Sequence, residues 1–277
     1  MKPRMTLLSA LRSESVRLRR SPIVALHVVL ALALGALAGF YFGLTPAWDP
    51  YLSTDAFFQM LGAGAPLLAG ISCGLALDAE REAGNYANVL GAPSRRLALA
   101  AKLIVLLMLI ALAAALAGVV FYCAMAVCGR PTVDAGTLVE VVLVYTLGCV
   151  ALYAITLAVA LRFGRNAAIG LGTVGLIVAI ASLGGLGNGL VTGTFSGAFA
   201  VGPALWVPFA WPARLASLCV EASTAGLAGV ADGALQLPSL MAGLRVFIAT
   251  SASVGALLVC LGLLGANRFE DARRVGE

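Results

Sequence analysis

The sequence predicts an all-α integral membrane protein with six transmembrane helices. Three observations carry that prediction. The 277 residues are 61% hydrophobic and 11% charged, far more apolar than a soluble domain. Runs of about 20 apolar residues, enough to cross a bilayer as helix, recur along the chain. They lie near Ile23–Leu44, Ala56–Leu77, Leu103–Val127, Val139–Leu161, Ala167–Leu186 and Leu244–Ala266. Fifteen of the eighteen basic residues fall on one side of these runs, the bias that orients membrane proteins.

The elements follow in chain order. Residues 1–22 carry Lys2, Arg4, Arg12, Arg17, Arg19 and Arg20. Within them, 4–21 reads as an amphipathic interfacial helix, with Leu7, Leu8, Leu11 and Leu18 on one face and Arg17 and Arg20 opposite. The first apolar run is too long for a signal-peptide core, and the 22 residues before it are too many, so no cleaved leader is expected. It contains Gly35, Gly39 and Gly43 at four-residue spacing, one small face on which another helix packs closely. His27 falls near its basic end, where the interface is expected to solvate it. The second run leads into a polar stretch, residues 78–102, holding Asp78, Glu80, Arg81, Glu82, Arg95, Arg96 and Lys102.

The third and fourth runs are joined outside by residues 129–138, and the fourth and fifth by a short turn with Arg162 and Arg165. Residues 187–243 are too apolar for a free loop and too broken by Pro203, Pro208 and Pro212 for a span. They read as a re-entrant or interfacial hairpin, since irregular backbone at membrane depth needs cover from protein or water. Arg268, Arg273 and Arg274 follow the last run. Only Arg130, Arg214 and Arg245 fall on the opposite side, so both termini are expected in the cytoplasm. The whole chain, 1–277, reads as one integral membrane domain.

Several chemistries are excluded. There is no G-x-x-x-x-G-K-[ST] nucleotide loop, no H-E-x-x-H and no G-x-S-x-G, so nucleotide hydrolysis and hydrolase chemistry are not expected here. The bases flank spans without a nucleic-acid motif. The six cysteines form no C-x-x-C and the one histidine stands apart from them, so no metal site is expected. Cys128 and Cys219 both fall on the outer side, and their pairing is open. Ionisable groups appear nearly absent mid-span, which argues against a proton pump or ion pathway. Gln59 and Asn188 stand at span edges and read as hydrogen-bonding helix partners.

Glu80-Arg-Glu82-Ala-Gly84-Asn85, followed by Leu90, Pro93-Ser94-Arg95 and Lys102, resembles the coupling segment of type 2 ABC transporter permeases. The resemblance is nearest to the lantibiotic-immunity branch. It implies a short helix over Asn85–Leu90 that docks on a soluble ATPase. Gly84 would release the chain from the second span, Pro93 would stop the short helix, and Ser94 would cap the next one. On this resemblance Glu80, Arg81, Glu82, Gly84, Asn85, Asn88 and Leu90 are the coupling residues. Trp206-Val-Pro208-Phe-Ala-Trp211-Pro212 is similar to a Pro- and Trp-containing outer stretch of the same branch, so Trp206, Phe209 and Trp211 are the candidate outer substrate contacts. The aromatic residues also suit an interfacial belt that fixes depth.

The resemblance further implies an exporter in a bacterial cytoplasmic membrane. Two ATP-binding subunits would hold ATP and magnesium, and a second permease, identical or similar, would complete the pathway. The substrate would be a lantibiotic or another membrane-active peptide. A lipid or small hydrophobic drug is the alternative cargo. A non-transporting scaffold or sensor is the alternative of another class.

Overall fold

Helix-start chemistry in the sequence marks most of the boundaries in the structure, a computed structural model that describes residues 5–84, 86–182, 187–196 and 203–265. Thr6 and Ser9 cap each other at the start of α1 (Leu7–Arg19). Ser21 caps α2 (Pro22–Gly43), and Asp49 caps α3 (Pro50–Glu82), each with proline in the first turn, where its missing N–H costs nothing. A four-residue helix, α4 (Ala87–Leu90), follows. Ser94 accepts the Leu97 N–H and opens α5 (Arg95–Val127). Asp134 accepts the N–H groups of Gly136 and Thr137 and opens α6 (Ala135–Phe163). Gly164, at φ +85°, turns the chain directly into α7 (Arg165–Ser182).

Beyond α7 come α8 (Asn188–Thr192), two 3₁₀ turns (Pro203–Trp206 and Pro208–Ala210), α9 (Trp211–Thr224) and α10 (Gly233–Gly265). The described residues are all helix, turn and loop. Six helices, α2, α3, α5, α6, α7 and α10, are long and apolar enough to cross a membrane. The fold class therefore agrees with the sequence expectation.

Boundaries differ in an instructive way. α3 and α5 have 33 residues each, about 50 Å at helical rise and longer than a hydrocarbon core. Their polar ends are helical too, so Asp78–Glu82 continue the second span instead of forming a loop. α10 likewise begins at Gly233, taking in residues 233–243 that the sequence assigned to the outer segment. The short helix covers Ala87–Leu90 rather than Asn85–Leu90, and Asn85 lies outside the described residues.

α2 packs along α5, α3 along α7, and α6 beside α10. The glycine face of α2 makes the first contact possible. A Cβ on Gly35 would stand 2.5 Å from the Ala117 carbonyl oxygen, and one on Gly39 2.6 Å from the Ala124 Cβ. Gly43 lies against Cys128, whose thiol is free, as are all six cysteines. Phe57 stacks on Phe121 at 4.2 Å, tying α3 to α5.

α9 is the core of the outer segment. It is buried along nearly its whole length between α3, α6 and α10. Gly148 admits Pro212, and Gly62 admits Ala213. Of the described residues in this segment, α9 is covered by protein, while Val191, Trp206, Leu227 and Leu235 are exposed. His27 corrects another expectation. It is buried, its Nδ1 2.9 Å from the Ile23 carbonyl of its own helix and its Nε2 3.4 Å from the Ser72 hydroxyl of α3, so the protein satisfies it instead of the interface.

Candidate functional site

The end of the bundle that carries α1, α4 and the start of α5 holds a closed ion-pair network. Glu80 is its centre. The last turn of α3 points this side chain inward, leaving it 5% exposed. Its Oε1 accepts from Lys102 Nζ at 3.1 Å and from Arg17 Nη1 at 3.0 Å, and its Oε2 accepts from Asn88 Nδ2 at 3.0 Å. Glu14 closes the ring, accepting from Lys102 at 2.8 Å and from Arg17 at 3.0 Å. Two carboxylates and two cations thus join α1, α3 and α5, and Asn88 adds α4.

Local geometry explains the arrangement. Ala10, Glu14 and Arg17 fall at helical i, i+4, i+7 spacing, so one stripe of α1 turns towards α5. The buried residues of α1 are Ala10 and Glu14, while Leu7 and Leu8 are exposed. Arg17 therefore reaches the protein instead of pointing opposite the packed face. Glu14 is the only acid among residues 1–22. That solitary acid on the Ala10 stripe is the sequence signal for a partner, though nothing local names Lys102 as that partner.

The other expected coupling residues divide. Glu82 ends α3 exposed. Two residues subtend about 200° on a helix, so Glu80 and Glu82 must face opposite ways. Arg81 pairs with Asp78 at 2.9 Å, and Asp78 also accepts from Arg165 at 2.8 Å, joining α3 to the start of α7. Gly84 has φ +148°, in the region that favours glycine, and the Tyr86 N–H returns to the Glu80 carbonyl. The chain thereby doubles back after α3 and lays α4 beside the network. Leu90 closes α4.

Beneath α1 lies a cavity of about 320 Å³, lined by the four charged residues and by apolar side chains such as Leu18, Ile23 and Leu106.

The opposite end carries a second buried polar cluster. Gln59 Nε2 donates to Asp55 Oδ2 at 2.7 Å and lies 2.9 Å from Ser196 Oγ and 3.2 Å from Ser217 Oγ. Glu221 Oε1 accepts from the Ser196 N–H at 2.6 Å, and Arg214 donates to the Ser182 carbonyl at 3.2 Å. The expectation of a nearly charge-free interior fails here, because α9 brings Arg214 and Glu221 into the bundle beside Asp55. Gln59 bonds across to α9, while Asn188 is exposed at the start of α8.

The three aromatic residues also separate. Trp206 is 79% exposed. Phe209 packs against Gly175 of α7. Trp211 is 2% exposed, its Nε1–H bonded to the Leu205 carbonyl. Trp211 thus anchors the hairpin in the core and offers no outward face, because it opens a helix enclosed on three sides.

Residues 10–182, from α1 through the end of α7, match a family model described as ABC-2 family transporter protein. Neither the curated proteins nor the solved structures contain a match.

Proposed function

The chain belongs to the ABC-2 family of transporter proteins, and on that premise we propose that residues 78–102 couple it to its ATPase, with the network around Glu80 as the joint. Membership makes the chain the membrane permease component of a transporter whose ATPase activity lies in a separate subunit.

One observation carries the coupling reading. α4 and the exposed Glu82 sit at the end of α3, and α4 bonds through Asn88 to a carboxylate shared by α1, α3 and α5. A displacement of α4 is then passed to three helices together. Buried ion pairs suit this task, because breaking one strands its partner at about 3–5 kcal/mol. The helices move as a unit before they separate.

In this reading the basic end faces the cytoplasm, where two ATPase subunits bind ATP and magnesium. Two permeases, identical or similar, enclose the pathway, since six spans form half of it. ATP-driven closure of the ATPases pushes α4 and moves α1, α3 and α5 together. The cargo is a membrane-active peptide of the lantibiotic kind, supported by the resemblance of residues 206–212 and by exposed Trp206. A lipid or small hydrophobic drug is the second reading. A groove of about 500 Å³ between α2 and α3, lined almost wholly by apolar groups including Leu37, Phe57 and Met60, favours it.

Coexpression with a cognate ATPase tests the coupling. The two should copurify as two permeases and two ATPases, with cargo-stimulated ATP hydrolysis. An active permease that never associates with an ATPase would remove the proposal.

A further inference from the structure

The cavity beneath α1 has two unlike walls. Ile23 and Leu106 belong to the apolar one, continuous with the spans α2 and α5, while Glu14, Arg17, Glu80 and Lys102 form the charged one. Hydrogen-bonding capacity remains on the charged wall in both senses. Among the described residues, Lys102 uses two of its three N–H donors, and Arg17 bonds only through Nη1. Each Glu14 oxygen accepts a single bond, and each has room for another.

Charge selects the ligand. The wall holds two carboxylates and two cations, so a ligand of net charge would leave an unbalanced ion in a partly buried site, which is unfavourable. A zwitterion leaves the balance at zero. Position selects it further. Exposed Leu7 and Leu8 on α1 suit the headgroup layer, and the volume lies within the range of small-ligand sites.

We propose that this cavity binds the headgroup of a zwitterionic aminophospholipid from the leaflet at the basic end. Its phosphate is served by the spare donors of Arg17 and Lys102, and its ammonium by the spare lone pairs of Glu14 and Glu80. A primary ammonium donates hydrogen bonds and a quaternary one does not, so the site distinguishes phosphatidylethanolamine from phosphatidylcholine. The lipid then becomes part of the joint between α1, α3 and α5. The inference rests on the chain's place in a membrane and is independent of the coupling reading.

Native mass spectrometry of the delipidated full chain provides the test, with phosphatidylethanolamine, phosphatidylcholine and phosphatidylglycerol of matched acyl chains added in turn. Phosphatidylethanolamine should bind about tenfold more tightly than either of the others, equivalent to about 1.4 kcal/mol. Ala76→Leu, which narrows the cavity, and Glu14→Gln, which removes a charged acceptor for the ammonium, should each abolish that preference. If a variant does not fold, the order of the three lipids on the unaltered chain decides alone. Equal affinity for all three lipids, stronger binding of phosphatidylglycerol, or a preference unchanged in the folded variants would overturn the proposal. The assay contains no ATPase, so its failure leaves the coupling reading intact, and failed coupling would leave lipid selectivity intact.

Discussion

Glu80 and Glu82 stand two residues apart in the last turn of α3 and face opposite ways. Glu80 is bound by Lys102, Arg17 and Asn88, while Glu82 is exposed at the protein surface. An E-x-E pattern on a helix thus divides its acids between an internal joint and an external face.

The division makes the two acids separable by mutation. Glu80→Gln leaves Lys102 and Arg17 sharing one carboxylate, and should lower stability by about 3–5 kcal/mol, read as a lower midpoint of thermal unfolding in detergent. Glu82→Lys should leave that midpoint unchanged but uncouple ATP hydrolysis from transport in the assembled complex. Equal loss of stability in both variants would contradict the opposed orientation. Normal coupling in Glu82→Lys would make this face an ordinary solvated helix end.

Close approach of α2 and α5 predicts a second contrast. Gly39 has no room for a Cβ, whereas a Cβ on Gly170 meets nothing within 4 Å. Gly39→Leu should destabilise the protein by about 1–3 kcal/mol or more through overpacking. Gly170→Ala should be neutral or slightly stabilising, since alanine is the better helix former. Similar melting curves for the two variants would mean that α2 does not pack on α5 through this face.

Orientation is open to labelling. In a background without native cysteines, Glu82→Cys should react with an impermeant maleimide only from the cytoplasmic side, and Val191→Cys only from outside. The basis is the concentration of basic residues on the α3–α5 connection and the N-terminal segment. Labelling of both positions from one side would overturn the topology.

Much of this architecture was legible because a bilayer imposes a length and a composition on every span. The six apolar runs and the cap at Ser94 could be read directly. Helix ends were less legible, since Asp78–Glu82 are polar yet remain helical through Asp78–Arg165 and Glu80–Lys102 pairing. Burial of charge was least legible. Glu14 and Lys102 are 88 residues apart, and Gln59, beside Asp55, bonds to Ser217 of α9, 158 residues away. No local pattern encodes such meetings, because packing of α1 on α5 and of α9 on α3 creates them. His27 illustrates the same point, as its partner Ser72 lies on a neighbouring helix.

The two tryptophans of the outer segment predict how cargo contact separates from architecture. Trp206 is exposed on a 3₁₀ turn, where an aromatic face meets cationic groups at the membrane surface with about 0.5–2 kcal/mol of attraction. Trp211 fills the core beside Leu205 and opens α9. Trp211→Ala should therefore destabilise the protein by about 3–5 kcal/mol and reduce its level in the membrane, so that protection falls against every cargo alike. Trp206→Ala should leave the level, the melting midpoint and basal ATP hydrolysis intact. Its effect should appear only as weaker protection of cells challenged with a cationic lantibiotic, by up to about tenfold if most of that attraction is lost. Unrelated hydrophobic drugs serve as the control challenge. Unchanged lantibiotic protection in Trp206→Ala, together with clear efflux of a drug or lipid, would refute peptide contact at this residue and favour the apolar groove between α2 and α3 as the place where cargo enters.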